Sequence, residues 1–226
     1  MIYKLNVTKM RKVLANLFTG GFRSNPQTDI TPPVYSPEVD VVASFWTEIG
    51  SKHTRRVLEA GTLQSVPGRS THSKSHFTEV EDENYVRIDI AAGPDVDVVA
   101  DLHRLPAEWT NSFDCFIANA VWEHLERPWI AAQEVARILR PGGLFLIATH
   151  QCFPIHGYPS DFFRFSRNAL RLIFEDAGLI VSAADYRHRS AIVPPADIVP
   201  KEHLAGWNDT FPSFILVEAT GWKPRV

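Results

Sequence analysis

Two buried-strand patterns joined by one helix pattern constrain this chain most. Phe113-Asp114-Cys115-Phe116-Ile117-Ala118 is an apolar run of strand length. A polar turn follows, through Asn119-Ala120-Val121-Trp122-Glu123-His124-Leu125. Pro128 then starts a helix that sets Ala131, Val135, Ile138 and Leu139 on one face. Pro141-Gly142-Gly143 stops it, and residues 144–149 form the next strand.

The remaining chain repeats this alternation. Ser36-Pro37-Glu38 predicts a helix running to about Gly50, with a capping hydroxyl, a proline in the first turn and an acid near the positive end. Arg56–Ala60, Tyr85–Asp89 and Asp97–Ala100 read as strands, while residues 62–84 are polar and carry no clear period. Ser166 caps a helix presenting Leu170, Ile173, Phe174 and Ala177, and Gly178 ends it. Leu179–Ala184 and Phe214–Ala219 are the last strands. Strands alternating with helices imply an α/β fold, a mostly parallel seven-stranded sheet with helices on both faces. Residues 187–210 form a long connection without a clear period, expected to act as a lid.

One globular domain, residues 36–226, follows an N-terminal helix and linker over residues 1–35. Met10, Val13, Leu14, Leu17 and Phe18 share one helical face, suited to docking on the domain or on a second subunit in a homodimer. The net charge of −3 lacks the basic excess that nucleic-acid binding leaves. No apolar run reaches the ~20 residues that span a bilayer, so stable membrane insertion is not expected. Cys115 falls inside an apolar strand and reads as a core residue; with only Cys152 beside it, a cytoplasmic location is the simplest expectation.

Ligands of open α/β sheets bind beyond the carboxyl ends of the strands. Here those ends carry Glu59-Ala60-Gly61, Asp89, Asp101-Leu102 and Asn119-Ala120. A glycine lets a ligand approach the main chain. Asp89 is placed to accept from vicinal hydroxyls, and Asp101 from an amine, with the Leu102 N–H beside it. The G-x-G-x-x-G of a dinucleotide site is absent.

These residues, and the run from Phe113 to Ile147, resemble class I S-adenosylmethionine-dependent methyltransferases of the type 11 kind, over roughly residues 55–180. The resemblance implies a Rossmann-like fold and S-adenosyl-L-methionine as cofactor. It implies cofactor contacts at Glu59, Gly61, Thr62, Asp89, Ile90, Asp101, Leu102, Asn119, Ala120 and His124. One departure stands out: the family's first motif is rich in glycine, and here Leu63 holds the place of the second glycine. That substitution keeps open an alternative, a methyltransferase-like scaffold that no longer binds cofactor.

After the fifth strand, His150 to Ser166 joins histidines, a carboxylate, an arginine and aromatics, and is similar to an H-x-x-P-x-D-[YF]-[YF]-R-[FY]-[ST] stretch of some of these enzymes. Neutral imidazole takes a proton near pH 7, so His150 and His156 are the candidate catalytic residues. Tyr158, Asp161 and Arg164 are the candidate substrate-binding residues, with an Asp161–Arg164 ion pair as the other reading. Trp46, Trp122, Trp129 and Trp207 are candidate pocket walls. The spacing of histidines and acids shows no metal signature, so no metal is expected. The function expected is methyl transfer to a small-molecule acceptor, an oxygen of a sugar or natural-product intermediate.

Overall fold

Alternate residues along each strand face opposite sides of one sheet, and each side has its own core. The computed structural model describes residues 37–226 except Tyr158, Ala196 and Val226, and of Ala205 only the backbone. The expected N-terminal helix, its linker and the Ser36 cap lie outside these residues.

Strands β1 (Val57–Ala60), β2 (Tyr85–Asp89), β3 (Val98–Val99), β4 (Phe113–Asn119), β5 (Leu139–His150), β6 (Ile180–Ser190) and β7 (Ser213–Trp222) form one sheet ordered β3-β2-β1-β4-β5-β7-β6. The first five are parallel, and β7 runs antiparallel to both β5 and β6. The order reverses beside β1, so β1 and β4 diverge at the carboxyl edge where such sheets bind ligands. On one face Leu58, Phe116 and Phe145 pack with Val135 and Ile138 of α2 (Pro128–Ile138) and Phe174 of α3 (Arg167–Asp176). On the other, Val57, Cys115 and Leu144 pack with Val41 and Phe45 of α1 (Val41–Gly50).

Several boundaries differ from the sequence reading, each for a local reason. The cap of α1 is Asp40, whose Oδ1 accepts from the Ala43 N–H at 2.9 Å. Pro37 and Glu38 precede the helix, and the Glu38 and Val39 N–H groups donate to Asp185 Oδ2 at 2.7 and 3.1 Å. An acid distant in sequence thus holds the chain extended where proline and an acid promised a first turn. Helix α2 ends at Ile138, before Pro141-Gly142-Gly143, and β5 starts directly at Leu139. The glycines lie in an irregular stretch of that strand, where pairing jumps from Phe113↔Leu139 to Cys115↔Leu144. The long connection is largely structured: β6 continues to Ser190, and α4 spans Lys201–Thr210.

Candidate active site

The carboxyl ends of β1, β2 and β4 open into a cavity of about 710 Å³, within the ~300–1,000 Å³ typical of small-molecule sites. Of the residues expected to hold the cofactor, Gly61, Asp89, Ile90, Asp101, Leu102, Ala120 and His124 line it. Gly61 must be glycine: its φ is +77°, and a Cβ there would sit 2.2 Å from Val121 Cγ2. Its N–H, and the Thr62 hydroxyl at 3.3 Å, both donate to the Ile88 carbonyl, which seals the β1 turn onto β2. Thr62 is thereby buried behind the turn, outside the cavity lining. Ala120 also takes a left-handed φ of +53° at the end of β4, an unusual conformation for a residue with a Cβ.

Asp89 accepts from the Leu63 and Ala91 N–H groups, each at 3.2 Å, one on each carboxylate oxygen. Each oxygen keeps a lone pair for another donor. Asp101 accepts from the His103 N–H at 2.9 Å and faces its Nδ1 at 2.7 Å. His103 Nε2 accepts from the Arg127 N–H at 3.2 Å, so Nδ1 carries the proton and donates. Desolvation pushes the Asp101 carboxyl up, but the His103 hydrogen bonds outweigh it and leave it below the ordinary carboxylate value.

Leu63 lines the cavity without blocking it, because its side chain lies over Gly93 in the β2–β3 loop. A Cβ at residue 93 would meet Leu63 Cδ1 at 2.4 Å. The glycine missing from one loop is matched by a glycine in the facing one. Asp95 ties the two loops together: its Oδ2 accepts from Gln64 Nε2 at 2.8 Å and Ser70 Oγ at 2.6 Å.

Glu59 is placed differently from expectation. Its carboxylate turns into the core and accepts from the Ser73 N–H at 2.8 Å, the Ser73 hydroxyl at 3.1 Å and the Tyr85 hydroxyl. Burial pushes its carboxyl above the ordinary value, and these hydrogen bonds offset part of the rise. Asn119 is exposed at the end of β4 and does not line the cavity. None of the four tryptophans lines it either: Trp122 is fully buried, Trp46 packs on His76 and Phe77, Trp129 is surface-exposed, and Trp207 lies on α4. No described residue of 187–210 lines the cavity, and the N-terminal helix expected to share in a lid lies outside the described residues.

The segment after β5 folds back over the turn after β4. The Phe162 and Phe163 N–H groups donate to the Glu123 carbonyl at 2.9 and 3.2 Å, and the Phe165 N–H to the His150 carbonyl at 3.0 Å. Gly157, Ser160 and Phe162 thereby join the cavity wall. Asp161 and Arg164 do not. Arg164 Nη1 and Nη2 bind Asp161 at 2.5 and 2.8 Å, while Arg164 also donates to the Phe153, Pro154 and Phe163 carbonyls. The guanidinium hydrogen bonds and the His156 N–H hold the Asp161 carboxyl well below the usual range. This pair is a loop clamp, with its hydrogen-bonding capacity used inside the loop rather than offered to a substrate. Tyr158 lies outside the described residues.

His150 and His156 stand behind the cavity wall, beside His124, which lines it. All three surround Glu123, which is fully buried. Glu123 is the residue that sequence spacing did not single out, since its neighbours come from three separate segments. Its Oε2 accepts from the Thr149 hydroxyl at 2.6 Å. The only hint in the sequence was its place after β4, next to His124.

Residues 71–147 match the family model described as a methyltransferase domain. No curated protein matches the sequence. Among solved structures, a Bacillus halodurans protein assigned as a methyltransferase is 14% identical, with a TM-score of 0.57 over 82% of this chain and 99% of that one. A SAM-dependent methyltransferase from Archaeoglobus fulgidus is 16% identical, with a TM-score of 0.52 over 80% and 92%. Burkholderia thailandensis 1,6-didemethyltoxoflavin-N1-methyltransferase, with 1,6-didemethyltoxoflavin and S-adenosylhomocysteine bound, is 14% identical, with a TM-score of 0.51 over 96% and 90%. The matched segment resembles a methyltransferase domain, and the chain shares the fold of these solved methyltransferase structures. The Archaeoglobus fulgidus protein is S-adenosylmethionine-dependent, and the Burkholderia thailandensis structure holds S-adenosylhomocysteine. The cavity fits S-adenosylmethionine: it offers free carboxylate lone pairs at Asp89, a main chain opened at Gly61, and exposed apolar surface at Ile90.

Proposed function

We propose that the chain transfers a methyl group from S-adenosylmethionine to a hydroxyl of a small-molecule acceptor, a sugar or natural-product intermediate. One observation carries this reading: His124 lines the cavity and packs against His156 of a buried histidine–carboxylate cluster. When bound, the cofactor supplies a methyl group on a sulfonium, a good leaving group. What remains for the protein is to orient the acceptor in line, exclude water and take a proton.

In this reading Asp89 accepts from the two ribose hydroxyls. Asp101 accepts from the adenine amine, the Leu102 N–H meets a ring nitrogen, and Ile90 covers one face of the base. Gly61 and Ala120 leave the main chain open to the amino-acid end. The histidine cluster meets the acceptor through His124, and His150 or His156 behind it takes up the proton. Glu59, Thr62 and Asn119 act instead by shaping the loops around the cofactor. The scaffold alternative rested on Leu63, and that side chain has its own place over Gly93.

The acceptor itself would enter past Gly157, Ser160 and Phe162. Among the described residues no helix is long and apolar enough to cross a membrane. Cys115 and Cys152 are both free thiols, which suits the cytoplasm we infer for it.

The test is formation of S-adenosylhomocysteine against a panel of hydroxylated small molecules. Turnover with a hydroxyl acceptor, lost in His150→Ala at unchanged cofactor affinity, supports the reading. Turnover only with amines, or full activity in His150→Ala, contradicts it.

A further inference from the structure

We propose that Glu123, His150 and His156 form a binding site for a divalent transition-metal ion of the zinc type, with the fourth coordination position open beside His124. Glu123 Oε1, His150 and His156 offer ligand atoms that all lie within 4.8 Å of one another. His150 Nδ1 stands 2.5 Å from Glu123 Oε1, His156 Nε2 3.8 Å and His124 Nε2 3.9 Å from the same oxygen. Zinc bonds of ~2.0–2.2 Å in a tetrahedron separate ligand atoms by about 3.3 Å. Changes of up to about 1.5 Å in these separations therefore close the three ligands around one ion.

The proton positions make the case stronger than proximity does. His156 Nδ1 lies 3.1 Å from the Pro154 carbonyl, and His124 Nδ1 2.5 Å from the Ser160 carbonyl. A carbonyl only accepts, so both Nδ1 atoms carry protons and both Nε2 atoms of the neutral rings present lone pairs. Those lone pairs converge on a carboxylate oxygen that has lone pairs of its own and no proton to donate. A histidine that gives its other ring proton to a carbonyl is the arrangement that orients metal ligands.

A second observation concerns the buried pair itself. Glu123 Oε1 and His150 Nδ1 approach to 2.5 Å, sharing a proton in poor alignment that an incoming ion would displace. Buried polar atoms are almost always paired. An ion between them would satisfy both. Two imidazoles and one carboxylate suit zinc and its first-row neighbours, whereas magnesium and calcium prefer all-oxygen shells.

This inference deepens the proposed function at its acceptor end. An ion there would stand against His124, which lines the cavity. At its open position it would hold an acceptor hydroxyl and lower its pKa, the proton passing to water, and His150 and His156 would then serve as ligands in place of the base.

The experiment uses the full chain, stripped of metal with a chelator and free of cofactor and acceptor. Zinc binding is read by calorimetry, and cobalt binding by visible absorption in place of zinc. One ion per chain is expected, with cobalt absorption typical of nitrogen ligation, no competition from magnesium, and at least about a tenfold loss of affinity in His156→Ala. Glu123→Gln, which keeps the side-chain shape, should lose affinity too. Thermal melts establish that each variant is folded. No ion bound by the wild type, or unchanged affinity in folded His156→Ala, overturns the site. Because no methyl transfer enters this readout, its failure leaves the proposed function standing, and failure of that reading leaves the ion measurement intact.

Discussion

Asp89 and Leu63 meet at one hydrogen bond, and the cofactor site turns on that meeting. The Asp89 carboxylate holds the Leu63 N–H while Leu63 lies over Gly93. In Gly93→Ala the new methyl group must displace Leu63 toward the cavity. We expect S-adenosylmethionine affinity to fall several-fold with little change in stability. Leu63→Ala in the same chain should restore it; calorimetric titration of the single and double variants checks this. Glu59 makes a different prediction, because its carboxyl is raised above the ordinary 4.5. Folding therefore takes up a proton there. Its contribution is full below about 4.5 and is lost as the pH rises through the folded value. Denaturant unfolding of Glu59→Gln should show the variant gaining on the wild type from pH 4.5 upward. Glu59→Ala, which strands the Ser73 N–H and the Tyr85 hydroxyl, should cost about 3 kcal/mol.

At the scale of elements, periodicity located most of the strands and helices, and failed where distant side chains intervened. The ends of β2 and β4, the start of α2 and the Ser166 cap of α3 lie close to where the pattern put them. Helix α1 begins later than its Ser-Pro-Glu signal, because Asp185 of β6 binds the Glu38 and Val39 N–H groups. No local pattern announces an acid about 147 positions away. Asp40→Ala removes the cap that is actually used and should lower stability by about 1 kcal/mol, measured by urea unfolding. Helix α4 escaped notice since its sequence is polar on most sides and its Gly206 weakens helix propensity. The acceptor segment shows the same division. The Asp161–Arg164 spacing was legible as a pair, but only the fold reveals three backbone carbonyls occupying the guanidinium as well.

For the whole molecule, the order of strands decides where chemistry can occur. The sheet reverses beside β1, and the polar strand ends named by sequence converge on that edge because parallel strands share a direction. Asp89 and Asp101 were legible as residues of the cavity edge on this ground alone. Glu59 was not distinguishable from them, since a strand-end acid facing the core and one facing the cavity have the same sequence signal. The clustering of Glu123 with His124, His150 and His156 was hidden further, because it needs the end of β4, the end of β5 and the returning loop together.

The account rests on this edge holding S-adenosylmethionine through Asp89. Calorimetric titration of wild type and Asp89→Ala tests it most directly. We predict micromolar affinity in the wild type, about −8 kcal/mol, and at least about a tenfold loss in a variant that melts as a folded protein, since the lost contacts are charge-assisted hydrogen bonds. Equal affinity in the two proteins, or no binding by the wild type at millimolar ligand, would contradict the account.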